Sequence, residues 1–545
     1  MNAARTNHSL PRGPLAMAAA TVLAAGSAVA QDFNGDGIAD LAVVAPGESI
    51  GAAAGAGAVT IIYGAGPGVG LGAFAPLPAV QITQATFGLD PVETGDTFGL
   101  SMAWSDFNGD GFDDLAIGAP NEDVGGAADA GLVIVLYGSP TGLAPLGPPV
   151  LMQGLGGMPD TPEAGDLFGW SLTTGDFNGD GFDDLAIGAP GESISFASQG
   201  VVHQVFGSPA GLMPAGPGIP MFVQSVLGDP DEATDMFGYS LAAGDFDGDG
   251  FDDLVIGAPF ETFAGKGACG MVNVVYAMSG FGLDPAAPTA PEVWTQNSPG
   301  VPQVANPFDN FGLTLAAGDF DGNGADDLAI GVPYESIGAK TNCGAVNVIY
   351  GVPMPGVGLD AFAAVAAEIW HQNVTGIPEV NDAHDNFGYA LAVGDFNGDG
   401  FDDLAVGVPF EEVKAINDCG YVNVIYGAGP GLGLETAGTV VAQGWHQDSP
   451  AVPNSNEAAD YFGFALAVGD FDGNGADDLV IGARGEDLGV VGNCGAVFVT
   501  YGNLAAGVGL DGTMPVASQI WHQNSPGIPD SNESDDLFGG GLAGD

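Results

Sequence analysis

The sequence predicts an all-β fold: a seven-bladed β-propeller of four-stranded antiparallel blades, its ring closed by the C-terminal strand joining the N-terminal blade. Three observations carry this. A nine-residue loop rich in Asp, Asn and Gly recurs seven times, starting at Asp32, Asp106, Asp176, Asp245, Asp319, Asp395 and Asp470, at spacings of 69 to 76 residues. Between the loops lie short apolar stretches of strand length, each bounded by Gly, Pro, Asn or Asp. The 93 glycines and 38 prolines favour many short strands and turns, while a hydrophobic content of 46% is ample for a core. This internal period overrides the three or four domains that 545 residues would otherwise suggest.

The second unit shows the parts most plainly. Phe98-Gly99 leads an alternating stretch to Ser105, and the loop runs from Asp106 to Asp114. The apolar runs Leu115 to Pro120, Leu132 to Tyr137 and Leu151 to Gln153 follow, giving four short strands. Such a blade cannot bury both faces alone, and seven stacked radially fall within the usual range of about 4 to 8 blades. The chain enters at the first loop with no strand before it and ends on a first strand after Phe538-Gly539, so that last strand is expected to complete the first blade and remove an exposed edge.

Residues 1–30 read as an export signal. Arg5 and Arg12 form a basic start, an apolar run extends from Leu15 to Ala25, and Ala28-Val-Ala30 supplies a cleavage site. Residues 31–545 then form one propeller domain of a secreted protein, extracellular or at the cell surface. No later stretch is long and apolar enough to span a membrane.

The loops read as cation sites. Oxygen-bearing side chains stand at positions 1, 3, 5 and 9, glycine at 6, and the backbone carbonyl of position 7 adds a ligand, about six oxygens in all, which suits Ca²⁺. In chain order the expected ligands are Asp32, Asn34, Asp36, Ile38 and Asp40; then Asp106, Asn108, Asp110, Phe112 and Asp114; then Asp176, Asn178, Asp180, Phe182 and Asp184. Next come Asp245, Asp247, Asp249, Phe251 and Asp253; Asp319, Asp321, Asn323, Ala325 and Asp327; Asp395, Asn397, Asp399, Phe401 and Asp403; and finally Asp470, Asp472, Asn474, Ala476 and Asp478. An EF-hand loop would need Glu at position 12, where the second unit has Ile117 inside an apolar run, so a strand and not a helix follows. One such loop would be an ordinary surface turn, but seven with the same oxygen pattern argue for metal, up to seven Ca²⁺.

Charge narrows the partners. Against 68 acids stand 6 Lys and Arg, so nucleic acid and anionic membrane surfaces, which need basic patches, are poor partners, and no nucleic-acid partner is expected. Ligand positions account for 22 of the acids, so a good part of the acidity is metal chemistry.

Other chemistry is sparse. Cys269, Cys343, Cys419 and Cys494 occupy equivalent places in four successive units. Such positions should lie beyond the roughly 7 Å Cα limit for a disulfide, so buried free thiols are expected, and a four-thiolate zinc site is excluded. His371, His446 and His522 each sit in a Trp-His-Gln step, one per unit, and with Trp294, Trp370, Trp445 and Trp521 are expected on a peripheral strand. The Gln and the Asp that recur before each Phe-Gly, such as Gln153 and Asp166, read as partners for buried backbone groups. The hydrolytic motif H-E-x-x-H is absent. The adjacent acids Asp113 and Asp114 point to opposite faces of a strand and so form no glycosidase pair. The sequence therefore reads as a protein that is not an enzyme.

The combination of Phe168-Gly169, the loop Asp176 to Asp184, and Gly188-Ala189-Pro190 resembles the FG-GAP repeat of the integrin α-subunit head and of bacterial secreted proteins built from the same repeat. The resemblance implies a seven-bladed propeller with Ca²⁺ loops on one face and partner binding on the other. Here all seven units carry a loop, Arg484 replaces the Pro of the last GAP element, and Val332 and Val408 replace its Ala. The expected function is an extracellular binding or adhesion module for a protein or glycan. The alternatives are a propeller hydrolase or lyase acting on extracellular glycans or phosphoesters, and a structural surface-layer or matrix protein.

Overall fold

The computed structural model describes residues 31–74, 77–87, 92–146, 150–213, 221–354, 356–505, 507–513 and 516–543. The expected export signal, residues 1–30, lies outside them. Among the described residues the strands form seven antiparallel sheets of four or five strands, plus a separate two-stranded hairpin, Ala277–Met278 with Gly282–Leu283. In the second blade the inner strand Ser101–Ser105 pairs with Asp114–Ala119, which pairs with Leu132–Leu136, and that with the outer strand Val150–Leu151. The outer strand stops short of Gln153, whose side chain is committed elsewhere.

The inner strands close a circuit. Ser101–Ser105 packs on Ser171–Gly175, and contact passes through Ser240–Gly244, Thr314–Gly318, Ala390–Gly394 and Phe462–Gly469 to Gly541–Ala543, which returns to Ser101–Ser105. The last strand pairs antiparallel with Leu41–Ala45 (Val43 opposite Leu542), so the C-terminal strand completes the first blade.

Second strands such as Asp114–Ala119 and Asp184–Ala189 are buried along their whole length. Neighbouring blades cover both of their faces, which is why they read as continuous apolar runs rather than alternating ones. The recurring Gly-Ala-Pro has a packing cause. A Cβ on Gly118 would lie 2.2 Å from the carbonyl oxygen of Gly169, in the Phe-Gly turn of the next blade. Phe168 is buried, and its N–H donates to the carbonyl of Ala130 at 3.0 Å, pinning that turn to the preceding blade. Each Phe-Gly turn thus docks between the second and third strands of the blade before it.

Candidate metal centres

Six Asp loops join an inner strand to a second strand, and the first, Asp32 to Asp40, leads into the second strand Leu41–Ala45, so all seven lie at the same end of the blades. In the second blade the Asp106 carboxylate accepts N–H groups from Gly109 at 2.7 Å, Asp110 at 3.1 Å and Gly111 at 2.8 Å, which winds the chain around it. Gly109 and Gly111 have φ of +72° and +86°, a conformation costly for other residues. A Cβ on Gly109 would also strike the Phe182 ring of the next blade at 2.5 Å. Asp32 and Asp176 are bonded in the same three-fold way, and Asp245, Asp319, Asp395 and Asp470 each accept the N–H groups of positions 5 and 6.

Position 9 lies at the buried end of each loop. Asp114 opens the second strand and accepts the Gly138 N–H at 2.9 Å. Burial pushes its carboxyl up to about 8 against that hydrogen bond, and the charges of Asp106 and Asp110 push the same way. Asp40 and Asp184 are likewise raised to about 8, and Asp253, Asp327, Asp403 and Asp478 are raised strongly, burial leading in every case.

The structure gathers these acids to different degrees. Carboxylate oxygens of Asp245, Asp247 and Asp253, and of Asp319, Asp321 and Asp327, converge within 4.8 Å, clusters that could coordinate a divalent cation. In four loops the position 3 side chain is Asn34, Asn108, Asn178 or Asn397, whose Nδ2 lies 3.2 to 3.4 Å from the position 9 carboxylate. Turning that amide over would present Oδ1 instead. The position 7 residues Ile38, Phe112, Phe182, Phe251, Ala325, Phe401 and Ala476 place their N–H groups 2.9 to 3.2 Å from the position 5 side chain. The donor set fits a hard cation, and two buried oxygens have no hydrogen-bond partner: Asp247 Oδ1 and Asp472 Oδ2.

Position 8 escaped the reading from sequence. The Asp113 carboxylate accepts the N–H of Asp32 in the preceding blade at 2.6 Å. Asp252, Asp326, Asp402 and Asp477 do the same for Asp176, Asp245, Asp319 and Asp395 at 2.8 to 2.9 Å. Recurrence of Asp at this position was the available signal.

The recurring Gln is also corrected. It does not serve backbone: Nε2 of Gln84, Gln153, Gln224, Gln296, Gln372, Gln447 and Gln523 donates to Glu122, Glu192, Glu261, Glu335, Glu411, Glu486 and Glu48, respectively, each lying just past the GAP element. The Asp does meet backbone, as Asp166 accepts the Glu163 N–H at 2.5 Å. The four cysteines are free and buried. Trp294, Trp370, Trp445 and Trp521 end outer strands, as expected, and His446 stacks on Tyr421 with ring centroids 5.6 Å apart.

The family model for the FG-GAP repeat matches residues 24–62, 98–136, 168–203, 237–268, 311–349, 387–417 and 462–500. Among curated proteins, integrin alpha-PS2 of Drosophila melanogaster is 38% identical over 32% of this chain and 12% of its own length. Integrin alpha pat-2 of Caenorhabditis briggsae is 32% identical over 46% of this chain and 18% of its own. Phosphatidylinositol-glycan-specific phospholipase D of Rattus norvegicus is 36% identical over 31% of this chain and 19% of its own. The chain thus spans less than a fifth of the length of these relatives. A solved exotype rhamnogalacturonan lyase superposes with a TM-score of 0.35 at 13% identity, covering 75% of this chain and 64% of that one.

The phospholipase matches correct one expectation. The lack of a recognisable catalytic motif reads as absence of enzymatic function, yet sequence similar to part of this chain occurs in an enzyme. Motif absence speaks only for local signatures, and a fold of this type can serve many activities. The chain is a seven-bladed β-propeller in which the FG-GAP repeat model matches a segment of each of seven units, and it is similar over part of its length to the integrin α-subunits.

Proposed function

We propose that this is an exported propeller stiffened by Ca²⁺ in its seven Asp loops, which presents a rigid face to an extracellular protein or glycan. On this reading residues 1–30 direct export and residues 31–545 are the propeller. The observation that carries the proposal is the sevenfold loop in which a wound first Asp and a buried ninth Asp flank further oxygens. The side chains at positions 1, 3, 5 and 9 and the position 7 carbonyl would hold the ion. Without it, each loop gathers like charges whose repulsion opposes the turn, and Ca²⁺ converts that repulsion into a crosslink between two strand ends.

The test is a thermal melt of the purified protein in chelator, in Ca²⁺ and in Mg²⁺, with bound metal counted by elemental analysis. An ion that binds the folded state alone must raise the melting temperature. The reading expects a Ca²⁺-selective rise and up to seven ions held in the Asp loops of each chain; no bound metal and no shift would overturn it. Because the matched relatives include a phospholipase, a phosphodiesterase assay on glycosylated phosphatidylinositol belongs beside a glycan and protein binding screen. Turnover there would replace the binding role with a catalytic one.

A further inference from the structure

We infer that the mouth of the ring on the face opposite the Asp loops is an anion site, in which the Arg484 guanidinium takes the carboxylate of a small aromatic acid whose ring packs among the aromatic side chains around it. The place follows from the chain path. An inner strand runs from its Phe-Gly turn toward its Asp loop, and a second strand runs back from the loop to its Gly-Ala-Pro. Residues just after a Phe-Gly, and residues at or just past the Pro, therefore meet at the end away from the loops. The inner strands there surround the axis.

The side chains at these positions are aromatic in several units. Trp170, Tyr239, Tyr389 and Phe464 each follow a Phe-Gly, while Phe260, Tyr334 and Phe410 each follow the Pro. Ring centroids lie 5.3 Å apart for Trp170 and Tyr239, 5.5 Å for Tyr239 and Phe260, 5.6 Å for Tyr389 and Phe410, and 5.0 Å for Tyr389 and Phe464. Those after Phe-Gly are buried, and those after the Pro are half-buried and reach solvent. Such a wall offers faces and edges for a ligand ring.

Arg484 enters this wall from the seventh unit, where the other six have Pro46, Pro120, Pro190, Pro259, Pro333 and Pro409. Its guanidinium carbon lies 3.5 Å from the Phe464 ring centroid and 5.8 Å from that of Tyr461. The residue is half-buried, and guanidinium keeps its charge under such desolvation. The lysines differ: Lys266 donates to the Ala305 carbonyl, Lys340 pairs with Asp382, and Lys414 with Asp448. Among the described residues no carboxylate pairs with Arg484, in a chain of 68 acids. Aromatic faces meet its charge but accept none of its in-plane N–H groups, the fork that suits a carboxylate.

A second donor points the same way. Trp170 is 4% exposed, and its buried Nε1 has no hydrogen-bond partner. Donors without acceptors specify an anion rather than a cation. The exposed Glu163, Glu232 and Glu533, in segments that lead to Phe-Gly turns, repel a polyanion, so a single carboxylate on an apolar ring is the better match.

This inference rests on the binding role proposed above and gives it a place and a ligand class. The experiment titrates the full protein, in Ca²⁺, with phenylacetate, neutral phenylacetamide and phenethylammonium, followed by ligand-observed NMR. Phenylacetate alone should bind. Arg484→Pro, the residue six units already carry, should weaken it about tenfold or more, and Arg484→Lys, which keeps the charge without the planar fork, by less. Equal binding of the amide, preference for the ammonium ion, or unchanged affinity in Arg484→Pro would overturn the inference. Tighter binding of a peptide ending in phenylalanine than of phenylacetate would overturn the assignment to a small acid. Should Arg484→Pro fail to fold, the three probes on the wild type and Arg484→Lys still decide. Arg484→Pro should keep the Ca²⁺ dependence of the wild-type melt, so failure here is distinguishable from failure of the Asp loops.

Discussion

Asp326 accepts the backbone N–H of Asp245 at 2.8 Å across 81 residues of sequence, so the first ligand of one Asp loop is held by the blade that follows. Asp326 is half-buried, and desolvation raises its carboxyl to about 8. Replacing it with Ala leaves a partly buried N–H beneath the loop without its acceptor, a loss of about 1 kcal/mol. The expected result for Asp326→Ala is a lower midpoint in denaturant and weaker Ca²⁺ binding at the Asp245 loop, with the Asp106 loop unaffected. Site-resolved lanthanide titration of the variant checks both.

The Asp245 loop should fill first. It alone offers carboxylates at positions 1, 3, 5 and 9, and three of them, Asp245, Asp247 and Asp253, already converge within 4.8 Å. Loops that carry Asn at position 3 must turn an amide over before binding, as Asn108 would beside Asp114. Titration of a selectively labelled sample should show signals from the Asp245 loop saturating ahead of those from the Asp106 loop; filling in the reverse order would contradict the charge argument.

Gly270→Ala should be among the most damaging small substitutions. The residue has φ of +86°, and a Cβ there would lie 2.2 Å from the Phe311 carbonyl oxygen and 2.4 Å from its nitrogen. Left-handed strain alone costs about 1 to 3 kcal/mol, and the clash adds to it because the neighbour is backbone. Equilibrium unfolding in urea measures the loss.

His203 sets a pH prediction. It is fully buried beside Phe168, its ring nitrogens have no hydrogen-bond partner, and burial lowers its pKa to about 3. The unfolded chain takes up a proton near pH 6.5 that the folded chain refuses until about 3, so stability from this residue is complete above 6.5 and falls as pH drops through that window. At about 1.4 kcal/mol per pH unit the full loss is roughly 4 to 5 kcal/mol. Equivalent third-strand positions hold Ile134 and Phe498. His203→Phe should therefore flatten the pH dependence of stability between 6.5 and 3 relative to wild type, measured as the difference between the two proteins.

The four thiols should stay silent in the native state. Burial raises Cys269, Cys343 and Cys494 above their usual range and Cys419 to about 11. Thiolate is the reactive form, so alkylation should be negligible until denaturant is added and then reach four labels per chain by mass.

What could be read without coordinates was whatever the chain expresses locally or repeats. Oxygen spacing within nine residues declared the Asp loops, and seven Phe-Gly elements matched to seven loops declared a closed ring. Contacts between blades were not legible, because their partners lie tens of residues apart. Asp113 holds Asp32, and Gln153 holds Glu192; both residue types recurred visibly, but nothing local says what they face. The glutamate after each GAP element also repeats seven times, six of them as Pro-x-Glu, yet an exposed-looking turn gives no hint that its carboxylate is buried. Absence of a local motif was likewise a poor guide to whether such a propeller accompanies catalysis.

The closure of the ring has a mechanical consequence. Gly541–Ala543 runs antiparallel to Leu41–Ala45 with Ala543 opposite Ala42, so residue 543 and the segment entering at residues 31–40 leave the first blade at the same end, beside the Asp loops. Tension applied between these two points peels the strand pair one rung at a time instead of shearing all its rungs together. The clasp opens at low force, before load reaches the other six blades. A tether attached at either point would stand on the loop side and leave the opposite face of the disc clear.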